Sequence, residues 1–179
     1  MIAVIAALAV GQVAGAATYE PTGPKIEVRV ENRGAFVITT DPKASPKTVA
    51  HILKLVNDGF YNRQRFHRVE NWVTQWGAPA SKTESLDTDA VRSGGSGTKL
   101  PFEESKIDFT RGVVGVASTG LQVGGDSQLF VLKKDAIRLY RSYAVVGKVT
   151  QGMDVVDAIT RGDRITSMRE IKPVVRRRR

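Results

Sequence analysis

The stretch RFHRVENWVTQWG, residues 65–77, gathers arginines, a histidine, a glutamine and both tryptophans of the chain. It is the densest run of side chains able to do chemistry. The chain has no cysteine, which excludes disulfides, thiol nucleophiles and thiolate metal sites. It has only two histidines, His51 and His67, too few for a histidine-rich metal centre, and no metal is expected. Of the residues in this run, His67 is the obvious acid–base candidate. Arg68 offers something different: a charge that is never lost and a planar fork of donors. Reactions that need a fixed cation near a developing lone pair or negative charge can use it without any proton relay.

The elements that must hold these residues are short. The chain has 179 residues, enough for one domain with a sizeable core. Seventeen glycines cluster between short apolar runs, which favours strands and turns. KIEVRVEN (25–32) alternates Ile26, Val28 and Val30, the period of a half-buried strand. NRG (32–34) signals a hairpin turn, and AFVITT (35–40) returns. In ASPKTVAHILKLVNDGF, Ser45 suits an N-cap and Pro46 the first helical position. Val49, Ile52, Leu53 and Val56 recur at helical spacing and Gly59 stops the helix. His51 then falls on the opposite, solvated face with Lys47, Lys54 and Asp58.

RFHRV and WVTQW are strand-like. Residues 78–104 read as a polar loop, whose GGSG (94–97) is flexible and lacks the pattern of a phosphate-binding loop, so no nucleotide is expected. GVVGVAS (112–118), SQLFVL (127–132), YAVVGKV (143–149) and RITSMREIK (164–172) supply further strands. GMDVVDAI (152–159) supplies a second helix, with Met153, Val156 and Ile159 on one face. Short strands with hairpin-length connections point to an antiparallel barrel.

The termini carry separate signals. MIAVIAALAVGQVAGA (1–16) is apolar and ends small-x-small at Ala14 and Ala16. It reads as a secretory signal peptide, without a basic n-region, so an exported mature chain starting near Ala17 is expected. TYEPTGP (18–24) lies in a linker spanning 17–24. The domain is placed at 25–173 and a basic tail at 174–179. The net charge is +9, and Arg176, Arg177, Arg178 and Arg179 contribute four of those charges. They are either a solvated tail or a tether to an anionic surface.

FHRV, the glutamine-glycine run, GVVGVAS, SQLFV, YAVVGKV and GMDVVDAI, in that order, resemble the cyclophilin-type peptidyl-prolyl isomerases over residues 25–172. The resemblance implies a mainly β fold, an eight-stranded antiparallel closed β-barrel capped by two α-helices. It implies cis/trans isomerisation of X-Pro bonds in client polypeptides, with no cofactor; a monomer is expected. By position, the family's catalytic arginine corresponds to Arg68 and its neighbouring glutamine to Gln75. Its substrate pocket corresponds to Trp72, Val73, Ala117, Ser118, Gln128, Phe130, Leu139 and Tyr143. Trp72, Val73, Trp76, Ser118, Arg138 and Tyr143 depart from the usual residues, and tyrosine at 143 resembles bacterial exported members.

X-Pro isomerisation breaks no σ bond; its barrier of ~18–20 kcal/mol is loss of amide resonance. A fixed cationic donor that binds the pyramidal nitrogen of the twisted amide lowers that barrier. Arg68 supplies the donor, and Phe130, Trp72, Val73 and Leu139 an apolar slot for the proline ring. If strand alternation holds through RFHRV, Phe66 shares the site face with Arg68. His67 and Val69 then face the other way, His67 as a structural, hydrogen-bonded residue. Two alternatives accompany the enzyme: a non-catalytic proline-peptide-binding module and a surface binder that uses the arginine tail.

Overall fold

The computed structural model describes residues 18–172. The segment read as a signal peptide and the arginine tail lie outside the described residues. Eight strands form one sheet: β1 (Lys25–Val30), β2 (Gly34–Thr40), β3 (Arg68–Val69), β4 (Val73–Trp76), β5 (Val113–Val116), β6 (Leu129–Leu132), β7 (Val145–Gln151) and β8 (Ile165–Ile171). Their order is β3-β4-β6-β5-β7-β2-β1-β8 and every pairing is antiparallel.

The sheet curls into a half-barrel and does not close. Among the described residues, its edge strands β3 and β8 share no ladder, and a single bridge, Arg65 to Arg164, spans the seam. The expected closed barrel is corrected on that point. The physical reason is that the chain meets the start of β8 before β3 begins: residues 63–66 hydrogen-bond to residues 162–165 in an irregular crossing that makes one bridge and no ladder.

Among the described residues, three α-helices accompany the sheet: α1 (Pro46–Asn57), α2 (Asp89–Arg92) and α3 (Met153–Ala158). The two expected helices are α1 and α3; α2 is a single turn within the segment read as loop. α1 packs Val49, Ile52, Leu55 and Val56 into the core. Its N-terminus departs from expectation, because the Ser45 hydroxyl has no partner. Glu103, from a distant segment, accepts hydrogen bonds from the Lys47 and Thr48 amides at 3.0 and 2.7 Å instead. A carboxylate satisfies the orphan helix donors and the positive dipole end together, so it displaces the weaker local cap.

The inner, concave core contains Ile26, Val28, Phe36, Ile52, Phe66, Trp76, Val114 and Ile165. A smaller apolar cluster on the outer face contains Val73, Phe109, Val113, Phe130, Leu132 and Val145. The stretch read as a linker is packed, not loose: Gly23 N–H donates to Thr40 O at 2.9 Å and Lys148 Nζ to Tyr19 O at 3.0 Å.

Candidate active site

One transverse row of the sheet sets up the site. Register pairs Arg68 with Gln75, Gln75 with Phe130 and Phe130 with Gly115, across β3, β4, β6 and β5. Directly paired residues point to the same face, so Arg68, Gln75 and Phe130 stand side by side. Gly115 completes the row by having no side chain. A Cβ there would lie 2.5 Å from Phe130 Cζ, so the glycine is the space into which the ring lies.

Loops close the slot. Leu139 ends a 3-10 turn (Ile137–Leu139), Ala117 and Ser118 follow β5, and Tyr143 precedes β7. With Arg68, Trp72, Val73, Gln75 and Phe130, they line a cavity of about 140 Å³. Phe130 is held edge-on by Tyr143, with centroids 5.5 Å apart, and stacked at 6.2 Å on Phe109. Phe109 lies in a stretch with no periodic signal, and nothing in the sequence marked it.

The polar side of the slot is a chain of hydrogen bonds. Arg68 Nη1 donates to Gln75 Oε1 at 3.3 Å, and Gln75 Nε2 donates to Gln128 Oε1 at 2.7 Å. Gln128 Nε2 donates to the Gly94 carbonyl at 2.8 Å. Gln128 lies one step behind the slot and lines the neighbouring cleft. On the other side of the guanidinium, Arg68 Nε donates to Glu70 Oε1 at 2.7 Å, and Trp72 Nε1 donates to Glu70 Oε2 at 2.7 Å. Arg68 next to it is the main reason the Glu70 carboxyl titrates below its usual range. Glu70 therefore fixes both the cation and a wall of the slot. Sequence reasoning passed it over, although its position two residues after Arg68, just past the strand-like run, was a usable signal. The guanidinium of Arg138 lies 4.5 Å from the Trp72 ring centroid, and that of Arg68 lies 5.5 Å away.

Two assignments are corrected. Phe66 does not face the slot. It is fully buried in the inner core, 5.2 Å from Trp76 by ring centroid. Val69 packs inward, as alternation from Arg68 requires. Alternation fails one step earlier because the ladder with β4 begins only at Arg68; Phe66 N–H instead pairs with Asp163 O, on a turn. His67 is buried, and its Nδ1 has no hydrogen-bond partner. Burial lowers its pKa to about 4; contact with Gln128 opposes the shift, while Arg161 and Arg68 reinforce it. His51 is the second correction. Its Nε2 lies 3.3 Å from Asp126 Oδ1 and 3.4 Å from Ser96 Oγ, so it is tucked under the GGSG loop, not solvated. That loop is in turn pinned, Gly97 N–H donating to Asp126 Oδ2 at 2.9 Å. Trp76 turns into the core and leaves the slot clear.

Comparison with known proteins follows the same line. Residues 25–176 match the family model described as cyclophilin type peptidyl-prolyl cis-trans isomerase/CLD. This chain belongs to the cyclophilin-type peptidyl-prolyl cis-trans isomerases. It is 37% identical over 164 residues to a probable peptidyl-prolyl cis-trans isomerase of Brucella abortus, covering 89% of this chain and 83% of that one. It is 33% identical over 131 residues to peptidyl-prolyl cis-trans isomerase B of Bacillus subtilis, covering 72% and 85%. Among solved structures it resembles a cyclophilin of Cryptosporidium parvum, with TM-score 0.72 and 18% identity over 84% of this chain and 98% of that one. The same parasite protein has been solved in the presence of the dipeptide Ala-Pro. As a cyclophilin, the chain is an enzyme that turns X-Pro bonds. An apolar slot beside a fixed cation is what that reaction asks of its surface.

Proposed function

We propose that Arg68 carries the isomerisation and that the slot behind it takes the proline ring of polypeptide clients. One observation carries this reading: the Arg68 guanidinium is tethered from both sides, by Glu70 and by Gln75, at the mouth of a cavity walled by Phe130, Leu139 and Tyr143. A bound X-Pro amide presents its nitrogen to that cation. As the amide twists, the nitrogen becomes pyramidal and its lone pair becomes a hydrogen-bond acceptor. Arg68 donates to it more strongly in the twisted state than in the planar one, which is differential stabilisation of the transition state. Because Gln75 and Glu70 already orient the fork, little reorganisation accompanies the reaction. Gln128 sustains Gln75 and borders the path of the substrate backbone. His67, buried and uncharged at neutral pH, has no step to perform.

The test is isomerisation of an Ala-Pro peptide by wild type and Arg68→Ala. Loss of about 10²-fold or more in kcat/KM is expected. A wild type no faster than buffer, with peptide binding retained, would mean a proline-binding module without turnover.

The cellular setting belongs to the same proposal. The apolar first sixteen residues and Tyr143 support an exported bacterial cyclophilin acting on folding clients, and the mass of protein recovered outside the cytoplasm checks cleavage after Ala16. The four terminal arginines tether the enzyme to an anionic surface. Deleting Arg176–Arg179 should abolish salt-sensitive binding to anionic vesicles; binding unchanged by the deletion defeats that part.

A further inference from the structure

A second, larger cleft of about 590 Å³ opens beside the proline slot, and Gln75, Ala117 and Ser118 line both. The two therefore adjoin, so a side chain close to a proline seated in the slot is within reach of the cleft. The cleft walls are closely built. A Cβ at Gly124 would sit 1.7 Å from Leu100 O, and one at Gly95 would sit 2.3 Å from Asp126 Oδ2. This backbone lets the 94–100 and 124–126 segments meet without filling the space between them.

The charges around the cleft are unbalanced. Arg92 and Lys99 line it, and its single carboxylate is Asp126. Asp126 is already committed: it accepts from Ser96 Oγ at 2.5 Å and from Gly97 N–H at 2.9 Å, with His51 Nε2 at 3.3 Å. Lys99 makes no ion pair among the described residues. The nearest carboxylate to Arg92 is Asp87 at 4.0 Å, and Asp87 is engaged by Arg161 at 2.7 Å. Two cations thus face a cleft that offers them no partner of its own.

We infer that this cleft selects clients with an acidic side chain, Asp or Glu, within two residues of the proline. The inference rests on the isomerase reading of the slot and names the substrate class of that site. A client carboxylate entering the cleft meets Arg92 and Lys99 and also gains unshared hydrogen-bond donors. A basic side chain meets two like charges. Both cations are exposed, so the effect is moderate and salt-dependent.

The experiment is a peptide series with Glu, Gln or Lys placed one or two residues to either side of the proline, assayed with the full chain at low and high salt. At the position that reaches the cleft, Glu should lower KM about three- to tenfold relative to Gln, and Lys should raise it. High salt should shrink both differences. In Arg92→Gln/Lys99→Gln the Glu-to-Gln ratio should fall to near one. A ratio near one at every position in the wild type, with Ala-Pro turnover intact, overturns the inference alone. So does a ratio that survives the double substitution. Failure to turn over any peptide overturns the isomerase reading and the inference with it.

Discussion

At the scale of single residues, Glu70 makes Arg68 a positioned cation instead of a waving one. An exposed arginine has many rotamers; two tethers on opposite sides of the guanidinium leave few. Glu70→Gln keeps the shape and removes the charge. It leaves one carbonyl oxygen where the carboxylate served two donors, Arg68 Nε and Trp72 Nε1. We expect kcat/KM to fall about three- to tenfold, the worth of one charge-assisted tether, while the melting temperature barely moves. The wild-type acid limb should lie below the ordinary glutamate range, because Arg68 favours the ionised carboxyl. That limb should be absent from the variant's pH–rate profile.

At the scale of elements, the site depends on neighbouring strands keeping register. The row Arg68, Gln75, Phe130, Gly115 draws one residue from each of four strands that are far apart in sequence. A one-residue slip in any of them would turn its member to the inner face. Gly115 shows how tightly the row is fitted. Gly115→Ala puts a methyl against the Phe130 ring, which must tilt toward Tyr143 and narrow the slot. A rise in KM and a stability loss of about 1–3 kcal/mol are expected. Unchanged kinetics with Ala-Pro peptides would show that the ring is not where catalysis needs it.

At the scale of the whole molecule, the half-barrel keeps two apolar clusters apart, a large inner one and a small outer one that walls the slot. His67, buried in the fold, couples it to pH. Its folded pKa is about 4, against 6.5 when unfolded. Between those values the unfolded chain binds a proton that the folded chain does not. Stability is therefore complete above about pH 6.5 and falls as pH drops through 4, by on the order of 3 kcal/mol. Urea midpoints measured from pH 7 to pH 4 should show this slope in the wild type and a flatter one in His67→Gln. Equal slopes would place the titration on other groups.

Much of this is local in origin and was legible in the sequence. Alternation in KIEVRV, the spacing Val49, Ile52, Val56, and the turn residues between runs determine β1, α1 and most strand positions, because period and propensity act within a few residues. The ordered motifs around Arg68, Gln75, Phe130, Leu139 and Tyr143 named most of the slot. What only the tertiary structure decided came from partners distant in sequence. Glu103 replaced Ser45 as the cap of α1, because a distant carboxylate outcompetes a local hydroxyl. The ladder that starts at Arg68 sent Phe66 inward, and the pinned GGSG loop covered His51. The seam between β3 and β8 stayed open because residues 63–66, ahead of β3, cross the start of β8 with a single bridge. Which side of a bend a residue faces, and which carboxylate reaches it, is fixed by packing among segments that the sequence lists far apart.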